Sequence, residues 1–227
     1  MNRFVIFDRS AALPNIVKGS LRRALSKQCA FIAAMAVPLA LHAQVVGYWQ
    51  FDEKAPGNTI DLTTNAIIDS SGNGHNGTAG ALIPYIAGSP GYGSSSALTF
   101  NTNSNDRILV PDAGVGAFNF ASGQSVTMEA VIRTINSGQG GSGNILSKQG
   151  AVAGSPIPGE WYFRVLNGKL RFSANDGTGL RTANGAVFVN DGQWHHVAAV
   201  YDATAKQMRV TRITFCGARP PPRSIAW

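Results

Sequence analysis

The sequence predicts an all-β protein that folds as a sandwich of two antiparallel sheets, in the manner of a jelly roll. Between residues 44 and 211 the chain is a series of short apolar or alternating runs separated by Gly, Asn, Asp and Pro turns. No stretch of this region keeps helical periodicity for three turns. The length of the region suits one domain of ordinary size, so we expect a single sandwich.

The first 43 residues have the order of a secretory signal peptide. A basic stretch from Lys18 to Lys27 precedes an apolar run from Cys29 to Leu41, and the small residue Ala43 follows. The alternative is a transmembrane anchor, but the run is shorter than the ~20 residues that span a bilayer, and it contains Pro38. We therefore expect export to the cell surface or the medium, with the membrane engaged only through this signal.

The other end of the chain interrupts a predicted strand. After Thr211 the sequence loses its alternation, and residues 212–227 form a basic, proline-rich tail. The sequence is consistent with a frameshift or premature truncation, and also with a disordered tail.

The net charge of +7 comes from these two ends. Residues 1–43 hold six Lys or Arg and one Asp, and residues 212–227 hold three Arg, which leaves −1 for residues 44–211. A nucleic-acid partner would require basic clusters on the folded surface, so none is expected. Cys29 and Cys216 also lie at the ends, and the predicted domain therefore contains no disulfide.

The longest alternating run covers residues 192–202 and predicts a strand in the middle of a sheet. Both faces of this strand are largely apolar, so we expect packing over each of them. The two faces are Trp194, His196, Ala198 and Val200, and His195, Val197, Ala199 and Tyr201. Because the adjacent histidines point to opposite faces, they cannot bind one ion together. We predict structural roles for both, with His196 as a hydrogen-bonded core residue.

A second element is the hairpin around Asn167-Gly168, a dipeptide that favours a type I′ turn. The register that this turn fixes gives one wholly apolar face, predicted to be core: Trp161, Phe163, Val165, Leu170, Phe172 and Ala174. The other face is Tyr162, Arg164, Leu166, Lys169, Arg171 and Ser173.

On the second face of the hairpin, Arg164 is predicted to lie directly across from Arg171. Like charges in this position destabilise a sheet by up to ~1 kcal/mol, so a partner is expected to offset them. One interpretation is a solvated face with an acidic neighbour from the next strand. The other is a ligand-binding surface for a polar sugar or an acidic glycan, formed by Tyr162, Arg164 and Arg171.

The loop that begins at Asp69 is the candidate metal site. Asp69, Ser71 and Asn73 place oxygen-bearing side chains at alternate positions before Gly74, as calcium loops do at their start. Gly80 occupies the position where an EF-hand requires its bidentate acid, so an EF-hand is excluded. Asx and Gly residues also build tight turns without a metal, and Ca²⁺ is therefore a hypothesis here.

Several segments, in the expected order, resemble the laminin-G-like domains of the concanavalin A-like lectin/glucanase superfamily. They are residues 46–53, 68–78, 97–111, 126–132 and 145–148, and the Trp-His-His-Val-Ala strand at 192–202. The resemblance implies a jelly-roll β-sandwich over about residues 45–210, lacking its last strands. It also implies that loop oxygens can bind calcium, as they often do in laminin-G-like domains.

The resemblance and the residues together predict an exported, non-catalytic module that recognises carbohydrate or a surface protein, with Ca²⁺ as the candidate cofactor. Three alternatives remain: a structural or adhesive spacer, a glycoside hydrolase, and a truncated product without function. A hydrolase would need two carboxylates on one strand face, and Glu129 has Thr127 and Val131 as its same-face neighbours. No oligomeric state follows from the sequence.

Overall fold

The computed structural model describes residues 4–8, 44–89, 91, 93–101, 105–112, 117–119, 124–135, 142–148, 160–175 and 177–213. In these ranges, no helix is long and apolar enough to cross a membrane. Residues 9–43 and 214–227, with both cysteines, lie outside them, so the predictions of a cleaved signal and a disordered tail stay predictions.

The described chain consists of strands joined by turns. In order, the strands are β1 (Phe4–Asp8), β2 (Gln44–Trp49), β3 (Thr78–Ala79), β4 (Tyr85–Ala87), β5 (Ser96–Leu98), β6 (Ile108–Leu109), β7 (Val126–Ile135), β8 (Gly143–Lys148), β9 (Trp161–Leu166), β10 (Lys169–Asn175), β11 (Leu180–Phe188), β12 (Asp191–Asp202) and β13 (Gln207–Ile213).

Two antiparallel sheets dominate the fold. The five-stranded sheet has the order β13-β12-β7-β1-β2, and the four-stranded sheet has the order β11-β10-β9-β8. The short pairs β3-β6 and β4-β5 complete the described strands. The predicted all-β sandwich is confirmed.

The core lies between the two large sheets. Met128 and Val197 from the five-stranded sheet and Phe163 and Phe172 from the four-stranded sheet are fully buried and belong to one cluster. Strands β7, β9, β10 and β12 contribute alternate residues to this cluster, since side chains of a strand alternate between its faces. The residues between them lie on the outer faces of the sandwich, where a ligand could bind.

The hairpin of β9 and β10 has the predicted register. Arg164 pairs with Arg171, Phe163 with Phe172, and Asn167 and Gly168 adopt the positive φ angles, 50° and 75°, that a type I′ turn requires. Its apolar face is core, as predicted.

Strand β12 is central, between β7 and β13, but the prediction for its histidines is wrong in one respect. His195 is the core histidine, with 3% of its side chain exposed, whereas His196 lies on the outer face with 22% exposed. Packing therefore covers the His195 face fully and leaves the Trp194 face half-buried.

Strand β1 lies within residues 1–43, which the sequence assigns to a signal peptide, and that assignment stays a prediction. Phe4–Asp8 is antiparallel to β2 on one side and to β7 on the other, inside the five-stranded sheet. The five residues alternate poorly in polarity but are apolar up to Asp8, as suits an interior strand. The signal-peptide pattern depends on residues 18–43. It therefore carries no information about residues 4–8.

Strand β13 also extends beyond the predicted boundary at Thr211. It pairs with β12 from Asp202↔Gln207 to His196↔Ile213, so the sheet includes the first two residues of the predicted tail. The main-chain ladder continues here although the side-chain alternation has stopped.

Candidate ligand-binding face

The outer face of the four-stranded sheet carries a row of four polar side chains, one from each strand. Asn144 of β8 pairs with Arg164 of β9, Arg164 pairs with Arg171 of β10, and Arg171 pairs with Asn184 of β11. We call these four residues, with Tyr162 and Lys169 of the same face, the arginine face. Because the row crosses the strands at right angles, its side chains lie next to one another.

Side-chain contacts hold the two arginines in place. The guanidinium of Arg164 lies 4.7 Å from the centre of the Tyr162 ring, in cation–π geometry. Arg171 Nε donates a hydrogen bond of 2.7 Å to Asn184 Oδ1. The predicted trio of Tyr162, Arg164 and Arg171 is therefore brought together, with Asn184 as a further member.

The expected acidic neighbour of the arginines is not present among the described residues: the strands on either side supply Asn144 and Asn184. No described carboxylate lies within 4 Å of either guanidinium. Arg164 Nε is also buried without a hydrogen-bond partner in the described part of the chain. Among the residues that the structure describes, no acidic side chain compensates the positive charge of this face, and anions are the ligands that such a face attracts.

A shallow pocket lies beside the arginine row, at the register shift between β10 and β11. The register between these strands shifts between Lys169 and Arg171, and the resulting space has a volume of about 360 Å³. Its lining includes Leu166, Asn167, Lys169, Arg171, Asn184 and Phe188. The space is open to solvent and lies within reach of Lys169 and Arg171.

The Asp69 loop is built differently from a metal site. Asp69 Oδ1 accepts hydrogen bonds from the main-chain N–H groups of Tyr48 and Ser71, both at 2.9 Å. Its Oδ2 accepts from Ser71 Oγ at 2.8 Å and from the N–H of His75 at 2.9 Å. Asn73 Nδ2 in turn donates to the carbonyl oxygen of Val45 at 2.7 Å. The loop therefore fastens to β2 along its outer edge.

These contacts do not fit a calcium site. A carboxylate has about four lone-pair positions, and protein donors fill all four on Asp69. Burial alone would raise the pKa of Asp69, but the hydrogen bonds from Ser71, Tyr48 and His75 outweigh it and hold the pKa below its ordinary value. The carboxylate is thus kept ionised by N–H and O–H donors. The geometry favours the metal-free turn that the sequence offered as the alternative.

A chelator test follows directly. We expect the thermal midpoint of the protein to be the same with 1 mM EDTA as without it, within about 1 °C, because no oxygen of Asp69 is left for a cation. A differential scanning fluorimetry melt in calcium and in chelator measures this. A midpoint that rises by several degrees with calcium would contradict it.

The two histidines make separate pairs on opposite faces of β12. His195 Nε2 lies 2.8 Å from Asp191 Oδ1, and His196 Nε2 lies 3.1 Å from Glu129 Oε2. Glu129 thus has a histidine as its neighbour, whereas glycosidases use a second carboxylate. Among the described residues no group of three His, Cys, Asp or Glu could hold a metal.

Sequence reasoning did not find Asn144, Asn184 or the pocket. The Asn167-Gly168 turn fixes the β9–β10 register from local sequence, but β8 and β11 each pair through a register shift. A shift of this kind moves the residues that follow it to the opposite face of the sheet. No turn dipeptide in the sequence predicts it. The neighbours of the arginines could be identified only from the folded sheet.

Comparison with known proteins identifies a family to which the chain is similar. A family model described as the concanavalin A-like lectin/glucanases superfamily matches residues 93–211, more than half of the chain. Neither the search of curated proteins nor that of solved structures gave a match. The matched range contains all four strands of the arginine face and begins after the Asp69 loop.

Proposed function

Because the chain belongs to the concanavalin A-like lectin/glucanase superfamily, we propose that it is a non-catalytic module that binds an acidic carbohydrate on the arginine face. The observation that supports this proposal is the row Asn144–Arg164–Arg171–Asn184, which places two arginines opposite each other on neighbouring strands with no carboxylate of the described residues beside them. A fold alone hosts many functions, so the proposal depends on these residues.

The chemistry of the face suits a sugar that carries a carboxylate or a sulfate. A guanidinium binds such groups through two parallel N–H donors, and these charge-assisted hydrogen bonds are about twice as strong as neutral ones. The asparagine amides can both donate to and accept from sugar hydroxyls. The ring of Tyr162, already stacked with Arg164, keeps that guanidinium oriented toward the ligand side.

Binding without hydrolysis is the proposed outcome. The arginine face contains no described carboxylate, so it offers neither a general acid nor a nucleophile for glycoside cleavage. We further propose that export through the signal-like residues 18–43 brings the face to extracellular glycans. A surface protein with an acidic patch is the other partner that the same charges would accept.

The test is the double variant Arg164→Ser with Arg171→Ser. Each charged hydrogen bond contributes about 1.5–3 kcal/mol, so we expect retention on an acidic glycan array to fall at least 100-fold. Stability should be unchanged or slightly higher, since the like-charge pair is removed. Array retention and a urea melt of the same preparations measure both effects.

The matched control is Arg133→Ser with Arg209→Ser, which removes the same charge from the other sheet and should leave retention unchanged. Unchanged retention of the arginine-face variant would overturn the proposal. Failure of the wild-type protein to bind any arrayed glycan while folded would favour the structural spacer. Release of product from an array sugar would favour the hydrolase.

A further inference from the structure

We propose that the acidic group bound by the arginine face is a phosphate monoester of a sugar, held between Arg164 and Arg171 by both guanidinium groups at once. This inference rests on the proposed function and names the charged group that the same face selects. Its basis is the set of N–H donors that the two arginines present and the charge that they carry together.

The contact of Arg171 with Asn184 decides which of the arginine's donors a ligand can use. Arg171 Nε donates a hydrogen bond of 2.7 Å to Asn184 Oδ1, so the edge of the guanidinium that carries Nε is already bound to the protein. A guanidinium is planar and holds its five N–H donors in a fixed fork. The two terminal amino groups, Nη1 and Nη2, are therefore the donors that Arg171 offers to an anion.

Arg164 offers the same two amino groups for a different reason. Its Nε is buried and has no hydrogen-bond partner in the part of the chain that the structure describes. The ring of Tyr162 lies against the guanidinium, with its centre 4.7 Å from Cζ, and covers the group from one side. An anion can thus approach Arg164 at Nη1 and Nη2 without displacing the protein around Nε.

The two arginines are close enough to bind one anion together. They stand directly opposite each other on β9 and β10, where the Cβ atoms of paired residues are about 4.5–5.5 Å apart. Because both side chains leave the same face of the sheet, an anion above the pair lies within reach of both guanidinium groups. Lys169, the third cation of the face, has its Nζ 4.6 Å from the centre of the Phe188 ring and is directed toward β11. The arginine pair therefore sets the charge that the ligand must match.

The charge of the pair favours phosphate over sulfate and carboxylate. A phosphate monoester carries a charge of about −1.5 to −2 at pH 7 on three acceptor oxygens, which matches two guanidinium groups. A uronate carboxylate carries one negative charge on two oxygens and matches a single guanidinium. A sulfate monoester has three free oxygens but only one negative charge. Phosphate alone among the three suits both the donors and the charge of the pair, and the amide of Asn144, which is paired with Arg164, can bind the sugar hydroxyls.

The test is a calorimetric titration of the full-length protein with three forms of one sugar: glucose 6-phosphate, glucose 6-sulfate and glucuronate. At about pH 7.5 we expect glucose 6-phosphate to bind at least 10-fold more tightly than either of the others. The advantage should shrink at about pH 5, because the second pKa of a phosphate monoester is about 6, whereas the sulfate and the carboxylate keep their charge.

The protein itself should not contribute to this change between about pH 5 and 7. The side chains that face the arginine pair are Tyr162 of β9, Lys169 of β10, Asn144 of β8 and Asn184 of β11. None of these residue types titrates in that range. The described histidines lie in the Asp69 loop and on β12 of the other sheet. A preference for phosphate that is the same at both pH values would therefore contradict the charge argument.

The variants Arg164→Ser, Arg171→Ser and their combination show whether one phosphate contacts both arginines. Each single variant should bind glucose 6-phosphate at least 10-fold more weakly than wild type. The double variant should lose less than the product of the two single losses, because residues that share one ligand group act together. The pair Arg133→Ser with Arg209→Ser, on the other sheet, should bind as wild type does.

Equal affinity for the three sugars, or no binding of glucose 6-phosphate, would overturn this inference, as would single losses that simply multiply in the double variant. The proposed function would still stand if the same protein is retained on acidic glycans of the array, and both fail if it is not. O-phosphoserine is the last probe, because a phosphorylated protein carries the same group. Binding of O-phosphoserine as tight as that of glucose 6-phosphate would overturn the assignment of the phosphate to a sugar.

Discussion

Replacement of Asp69 by Ala is expected to lower the free energy of unfolding by about 2–4 kcal/mol. The change removes one carboxylate and leaves three main-chain N–H groups, those of Tyr48, Ser71 and His75, without their acceptor. Each buried donor that loses its partner costs about 1–3 kcal/mol, and water entering the loop offsets part of this sum. Urea denaturation of the variant beside wild type measures the difference.

Asp69→Asn and Ser71→Ala are the matched variants for this loop. The asparagine keeps one oxygen acceptor, so the free energy of unfolding of Asp69→Asn should lie between that of wild type and that of Asp69→Ala. Ser71→Ala removes only the 2.8 Å hydroxyl contact and should cost about 1 kcal/mol. An Asp69→Ala protein as stable as wild type would show that the carboxylate does not brace the loop.

The same contacts make the free energy of unfolding depend on pH in the acidic range. Since the pKa of Asp69 is lower in the folded protein than in the unfolded chain, its ionisation stabilises the fold above about pH 4. This contribution is lost as the pH falls from there through the folded-state pKa. The stability difference between wild type and Asp69→Ala should therefore narrow below pH 4 and be constant from pH 5 to 7.

The features that the sequence predicted correctly are the local ones. The β9–β10 hairpin was predictable because a two-residue turn determines which residues face each other, including the contact of Arg164 with Arg171. The strand at β12 was predictable because its apolar residues alternate. In both cases residues close in the chain determine the structure, and no distant partner had to be known.

The features that could not be predicted from the sequence depend on residues that are distant in the chain. Phe4–Asp8 is a short apolar run that forms a strand by pairing with β2 and β7, which lie far from it in the chain. The burial of His195 in place of His196 depends on which sheet face meets the core, and alternation alone does not decide between the two. The hydrogen bonds of the Asp69 loop were not predicted, because the residue types that bind calcium also accept or donate hydrogen bonds in turns and the sequence does not separate the two.

Two neighbouring residues of β9 have different expected roles, one in the stability of the fold and the other in ligand binding. Phe163 is fully buried between the sheets, while Tyr162 lies on the arginine face and stacks with Arg164. Because successive side chains of a strand point to opposite faces, substitutions at these two positions act on different properties. The comparison tests the sandwich and the proposed site in one experiment.

Phe163→Ala is expected to lower the free energy of unfolding by about 3–5 kcal/mol, since it opens a cavity against Phe172 and Leu146, its partners in the neighbouring strands. Tyr162→Ala removes a partly exposed ring and should cost no more than about 1.5 kcal/mol, but it should weaken acidic-glycan retention by releasing the Arg164 guanidinium. Urea melts and array retention of both proteins give the two effects. Equal loss of stability would contradict the assignment of faces, and unchanged retention by Tyr162→Ala would remove the tyrosine from the proposed site.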